Sequence, residues 1–255
     1  MKAPYDSYDY PRYWLGREYE DQTEKIALKK LLSLIPKERR GSIIDIGAGF
    51  GRHTQVYTPM FKNCLLLDPS ENLLTEARSR LKSLANLEFK LGKAAKLPFA
   101  DGQFDVAIII RVVHHLPEPN DAFLEAARVL KPHGYLILEF ANKVHFRARI
   151  RAWSKGNFRF CKDLSPVEQR TPESIKARKI TFLNHHPKKI EDDLSDAGFK
   201  IIERLSVSNF RHSLIKKLIP LKVLLFLESH FSIIHSPFSI LQYFGPSIFL
   251  LCQKT

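Results

Sequence analysis

Cysteine is scarce in this 255-residue chain. Cys64, Cys161 and Cys252 are odd in number and far apart, which argues against a disulfide framework and against the paired ligands of a structural zinc site. No histidine spacing completes a metal set, so none is expected. Long apolar runs are missing too. The longest, "LIKKLIPLKVLLFL", is cut by Lys216, Lys217 and Lys222 and falls short of the ~20 residues that cross a bilayer. The opening "MKAPYDSYDYPRYW" has no basic start followed by an apolar run, so no signal peptide is expected and a reducing cytoplasm fits the thiols. No internal repeat is present. Acidic residues are in deficit: 27 Asp and Glu stand against 40 Lys and Arg, a net charge of +13. The imbalance is local, because Lys143 to Ile180 holds eleven basic residues against Asp163, Glu168 and Glu173, a net +8. Such a stretch suits nucleic acid, a lipid headgroup surface or an acidic small substrate, or is simply a solvated face.

What is present reads as one α/β domain over residues 1–255. An aromatic leader passes into a helical pattern to about Ile35, with Ile26, Leu28, Leu31, Leu32 and Ile35 as its apolar stripe and Pro36 as its stop (leader and helix, 1–36). Short continuous apolar runs follow, "SIIDI", "NCLLLD", "LEFKLG", "FDVAIIIR" and "GYLILEFA", the pattern of parallel strands buried on both faces. Between them lie "SENLLTEARSRL", with Ser70 as N-cap, and "NDAFLEAARVL", ended by Lys131 and Pro132. After a basic insertion (143–185) comes a helix opening at Pro187 and capped at Gly198, then "FKIIERLSV" and "PSIFLLCQK" as the last strands, separated by a second, apolar insertion (209–245). The expected fold is a doubly wound, mostly parallel seven-stranded sheet, with insertions after strand five and between strands six and seven.

"IDIGAGFGRHT" turns on Gly47, Gly49 and Gly51, the first, third and fifth positions of the turn, with Arg52 at the sixth. A dinucleotide fingerprint wants glycine at the sixth position, and a P-loop needs Gly-Lys-Ser/Thr. Neither is met. Asp68 ends the second strand nineteen residues after Gly49, where a carboxylate can accept from both hydroxyls of a ribose. The turn and Asp68 together point to a nucleoside; the turn alone would also serve as a tight connection with no ligand.

These residues, with "LLLDPS" and "GKAAKLPFADGQFDVAIIIRVVHHLPEPNDAFLEAARVLKPHGYLILEF", resemble the class I S-adenosylmethionine (SAM) dependent methyltransferases, most closely the type 11 group that includes enzymes similar to those of ubiquinone and menaquinone synthesis. The resemblance covers residues 40–142, the SAM-binding core. It implies a Rossmann-like fold with SAM as cofactor, Asp45, Gly47, Ala48 and Gly49 along the methionine portion, Asp68 at the ribose and Pro69 against adenine. Many relatives carry an acidic group where this chain has Lys93, which cannot accept from the adenine amine; backbone near Ala94 is the substitute. Ile110 and Arg111 are implied beside SAM. His115 and Arg111 are the catalytic candidates, His115 as base, while His185 and His186 can instead cap the helix at Pro187. The leader holds six aromatics in "YDSYDYPRYWLGREYE"; related enzymes fold such a leader over SAM, which offers Tyr13 or Arg17 to the methionine carboxylate.

The basic, aromatic "KVHFRARIRAWSKGNFRFCK" and the leucines 214, 218, 221 and 225 suggest a basic, greasy rim around the substrate mouth, with the leucine stripe read as core or lid ahead of a membrane contact. The partner expected is a small acceptor, lipid-like or anionic, methylated on oxygen or carbon, with peripheral membrane contact as an accompanying reading. Two alternatives stay open: an RNA methyltransferase using the basic insertion, and a SAM-binding protein without catalysis. Against RNA, the sequence has no Asn/Asp-Pro-Pro-Tyr/Phe motif and no Pro-Cys pair. Oligomeric state leaves no trace in the sequence.

Overall fold

The computed structural model describes residues 10–176, 180–231 and 243–255. Tyr5 and Tyr8 of the leader, Arg178 and Lys179 of the basic stretch, and positions 232–242 of the second insertion lie outside the described residues.

Seven strands form the main sheet among the described residues: β1 Ser42–Ile46, β2 Asn63–Asp68, β3 Leu87–Leu91, β4 Phe104–Ile109, β5 Leu130–Ala141, β6 Phe199–Val207 and β7 Ser247–Lys254. Their order is β3-β2-β1-β4-β5-β7-β6. The first five run parallel to one another, and β7 runs antiparallel to both β5 and β6. This is the mostly parallel seven-stranded sheet that the sequence predicts.

The continuous apolar runs have a direct cause. Successive strand residues point to opposite faces, and both faces are covered. Ile44, Ile46, Ala107, Ile109, Leu136 and Leu138 pack under helices α3 (Asn120–Val129) and α5 (Pro187–Asp196) through Phe123, Ala126, Ile190 and Leu194. Ile43, Val106, Ile108 and Ile137 pack on the other face against Leu28, Leu31 and Leu32 of α1 (Glu18–Leu34). Edge strand β3 is the exception, with Glu88, Lys90 and Leu91 exposed.

Capping follows the sequence closely. Ser70 Oγ accepts from Leu73 N at 3.3 Å at the start of α2 (Glu71–Arg80). His186 Nδ1 accepts from Lys188 N at 3.1 Å, ahead of Pro187 in the first turn of α5. Gly198 follows the helix end with φ +83°, the left-handed conformation that glycine adopts without penalty.

Three expectations are corrected. Lys131 and Pro132 do not separate helix from strand: α3 ends at Val129 and β5 begins at Leu130, carrying Pro132 and a bulge where the register against β4 shifts between Phe104 and Val106. The β4 strand stops at Ile109, short of Arg111. The leucine stripe of the second insertion is not core, because Pro220, which lacks an N–H to continue a helix, divides the segment into α6 (Ser213–Leu218) and α7 (Leu221–Phe231). Leu214 and Leu218 are 60% and 81% exposed, and the face of α7 turned inward carries Leu224 and Glu228 instead. Within the basic insertion, helix α4 (Phe146–Ser154) is followed by a short antiparallel ribbon pairing Val167–Glu168 with Leu183–Asn184. No described helix is long and apolar enough to cross a membrane.

Leu28→Ala removes a fully buried side chain from the α1 face and is expected to cost about 2–5 kcal/mol in urea unfolding, with the m-value unchanged.

Candidate active site

In parallel sheets ligands gather at the carboxyl ends of the strands, and here those of β1, β2 and β4 converge on a cavity of about 370 Å³. The turn after β1 forms its floor. Gly47 has φ +80°, and a Cβ there would lie 2.3 Å from Val112 Cγ2 in the loop after β4; only glycine lets the two loops approach this closely. Gly49, at φ +56°, donates its N–H to Asp68 Oδ2 at 2.8 Å, and Ser70 N donates to the other oxygen at 2.9 Å. Asp68 thus ties the turn after β1 to the turn after β2.

Asp45, Gly47, Ala48, Gly49, Asp68, Pro69, Lys93, Ala94, Ile110, Arg111 and His115 all line this cavity. Tyr13 and Arg17 do not. They line a second cavity of about 560 Å³, where the Arg17 guanidinium lies 4.1 Å from the centre of the Tyr13 ring. Tyr10 and Trp14 of the same leader line the first. The leader's helical turn ends at Tyr13, and the left-handed Gly16 bends the chain before Arg17, so the leader contributes to both cavities. Trp14 and Arg111 line both.

A charged cluster fastens α1 to the glycine turn. Arg52 donates to Asp21 at 2.7 Å and to Glu24, and its guanidinium stacks 3.6 Å above Trp14. His53 Nε2 lies 3.4 Å from Glu24. Burial pushes the Glu24 carboxyl up, but Arg52 and His53 outweigh it and hold it well below the usual range. Sequence reasoning left this cluster out of the site. Its signal was Arg52 at the sixth turn position, with Asp21 and Glu24 three apart on the predicted helix.

Arg111 sits at φ +63°, a conformation rare outside glycine. Its N–H donates to Glu139 Oε2 at 2.9 Å and its Nη2 to the Tyr13 hydroxyl at 3.3 Å; Nε is buried with no hydrogen-bond partner among the described residues. Burial disfavours the guanidinium charge, and Glu24 and Glu139 more than restore it. His115 Nδ1 is 2.6 Å from Thr181 O, an acceptor only, so Nδ1 carries the proton and Nε2 faces the Tyr10 hydroxyl at 3.3 Å. Burial lowers the ring to about 4. His114 is fully buried between His115 and Phe182 and lines neither cavity. His185 Nε2 donates to Val113 O at 3.1 Å, so of the two histidines before Pro187 only His186 caps the helix.

Residues 44–138 match a family model described as a methyltransferase domain. Residues 44–138 therefore carry a methyltransferase domain. The chain is 27% identical over 132 residues to a malonyl-[acyl-carrier protein] O-methyltransferase of Marinomonas sp., covering 51% of this chain and 49% of that one. It is 28% identical over 165 residues to the ubiquinone/menaquinone biosynthesis C-methyltransferase UbiE of Pseudomonas syringae, covering 62% and 64%. The match therefore spans less than two thirds of either relative. A solved SAM-dependent methyltransferase of Thermotoga maritima superposes with a TM-score of 0.60 at 22% identity over 99% of each chain, which establishes the shared fold.

At the base of the methyltransferase domain's cavity, Asp45 is buried and accepts from the Tyr57 hydroxyl at 3.0 Å. Burial, with the nearby Asp68 carboxylate adding to it and the Tyr57 bond opposing it, pushes Asp45 up to about 7. Between the ordinary carboxylate range and pH 7 the folded state therefore keeps a proton that the unfolded chain has lost, so stability falls as pH rises through that window and is level above it. Denaturant unfolding at pH 5 and pH 8 is expected to show the wild type less stable at pH 8, and Asp45→Asn to reduce that difference.

Proposed function

We propose that the chain is a SAM-dependent methyltransferase that takes SAM in the first cavity and a small acceptor in the second, with transfer at the wall of Trp14 and Arg111 that the cavities share. The observation that carries this is a wall of Trp14 and Arg111 common to two cavities, with a clamped carboxylate and bare main chain lining the first and Phe146, Arg147 and Phe244 lining the second.

The lining fits SAM. Asp68, a carboxylate that lines the cavity, is the acceptor offered to the ribose hydroxyls. Main chain at Gly47, Ala48 and Gly49 admits the methionine portion without side-chain obstruction. Pro69 and Ala94 offer apolar surface to adenine, and Lys93 offers its amine no acceptor. Arg52, which lines this cavity, takes the place of Tyr13 and Arg17 as the group offered to the methionine carboxylate.

When bound, SAM supplies a methyl group on a cationic sulfur that leaves as a neutral thioether. The chain's part is placement, which holds the acceptor atom at near-attack distance and excludes water. An oxygen or carbon acceptor must also lose a proton, and His115 Nε2, kept unprotonated by the Nδ1–Thr181 bond, is the base for an acceptor whose reacting end enters the first cavity, the one that His115 lines. The two curated relatives are named for O- and C-methylation, which supports oxygen or carbon as the acceptor atom here. Exposed Trp153, Phe158, Leu214 and Leu218, with the basic residues between them, support a lipid-like or anionic acceptor and peripheral contact with a lipid surface.

Asp68→Asn is expected to weaken SAM binding by about tenfold or more in calorimetric titration, since hydrogen bonds to a charged group contribute ~1.5–3 kcal/mol; undiminished affinity would overturn the assignment. With labelled SAM and a cell extract, label is expected in the organic-soluble fraction, and label in RNA would favour an RNA substrate. His115→Gln is expected to lower turnover by ~10²-fold or more with SAM affinity intact, and wild-type turnover to stay level from pH 6 to 8 and fall only near pH 4.

A further inference from the structure

The basic insertion carries most of the chain's charge excess, and the structure divides that charge into two groups. Some of it is used internally. Lys143 is buried and paired with Asp163 at 2.8 Å, and Arg170 is paired with Glu168 at 2.6 Å. Arg149 Nε donates to Val144 O. Arg147 and Arg151 are different: four apart on α4, they share a helix face, both line the second cavity, both are exposed, and among the described residues neither is paired with a carboxylate.

The carboxylates in that cavity are already engaged. Glu20 accepts from Lys216 at 2.8 and 3.1 Å, Glu24 is held by Arg52, and Glu139 accepts from the Ser247 hydroxyl at 2.6 Å and from Arg111 N. The field at the mouth is accordingly positive. His145, which lines the same cavity at the start of α4, is lowered to about 4 by burial and then by Arg147, Arg151 and Arg211. Beside these arginines part of the lining is aromatic and apolar, while Glu20, Glu24, Glu139, Ser208 and Ser247, among its most buried members, are polar. Phe146 and Phe244 stack with ring centres 4.8 Å apart and planes 18° apart, and Phe182 and Ile215 complete this surface.

We infer that the second cavity binds an amphiphilic anion: an acceptor whose apolar body lies against Phe146, Phe182 and Phe244 and whose carboxylate or phosphate is held at the mouth by Arg147 and Arg151, away from the atom that is methylated beside Arg111. Guanidinium forks match both anions with paired hydrogen bonds, and the apolar wall selects an anion attached to hydrocarbon over a free ion. This deepens the methyltransferase reading, from which it takes only the position of the reacting end.

The test is calorimetric titration at physiological salt, with and without S-adenosylhomocysteine, using octyl phosphate, octanoate, octanol and inorganic phosphate as probes. Wild-type protein is expected to bind octyl phosphate and octanoate at least about tenfold more tightly than octanol, and octyl phosphate more tightly than inorganic phosphate. Arg147→Ala/Arg151→Ala is expected to lose the preference for the anionic probes while keeping its affinity for S-adenosylhomocysteine, and Arg147→Lys/Arg151→Lys to recover part of it. Both side chains are exposed, so these variants are expected to unfold at the wild-type midpoint. Octanol binding as tightly as octyl phosphate, equal anion binding by the double alanine variant, or no binding of any octyl probe would overturn the inference. Inorganic phosphate matching octyl phosphate would overturn its amphiphilic part and leave a soluble phosphate as the ligand. Arginine-dependent anion binding in a protein without affinity for S-adenosylhomocysteine would refute the methyltransferase reading and leave this anion site standing.

Discussion

One carboxylate organises the first cavity. Asp68 receives an N–H from the glycine turn after β1 and another from the turn after β2, so the two loops hold one shape. Charge-assisted bonds of this kind are roughly twice as strong as neutral ones. The clamp depends on the sheet beneath it, because β1 and β2 pair in register from Ser42 with Asn63 to Ile46 with Leu67 and bring Gly49 and Asp68 to the same edge. A slip of one residue would turn the carboxylate to the opposite face.

The wall between the cavities is held under constraint. Arg111 occupies a left-handed conformation, which costs of order 1–3 kcal/mol in a residue with a side chain, and its backbone N–H is fixed by Glu139 at the end of β5. Its guanidinium lies among Tyr13, Trp14 and Phe182, and Trp14 is in turn stacked by Arg52. The boundary is a layer of cations and aromatic faces backed by buried carboxylates. It is a firm surface against which two ligands can be placed, and its charge is balanced from below by Glu24 and Glu139.

The second insertion supports this wall from outside. Glu228 of α7 accepts from the Tyr19 hydroxyl at 2.7 Å and from Asn209 Nδ2 at 3.0 Å, and Lys216 of α6 reaches Glu20. These bonds join the segment between β6 and β7 to α1, the helix that also fixes Arg52. The leader, the glycine turn and the second insertion are thus linked through α1.

The sequence by itself determined the sheet, its caps and the floor of the first cavity. These features are local or periodic: apolar runs between turn residues, Ser70 before a helical pattern, glycines followed by a strand-ending aspartate. It did not determine which leader residues meet which cavity, because placing Tyr10 at the first, Tyr13 and Arg17 at the second and Trp14 at both depends on where the turn docks. It did not determine that the leucines after Ser213 stay out of the core, since helical spacing does not carry across Pro220 and Leu224 and Glu228 take the inner face. Nor did it divide the basic insertion into arginines used internally and arginines facing a cavity. Only the tertiary structure decided that, because whether a charge is free depends on which carboxylate, distant in sequence, the packing brings within a few ångströms.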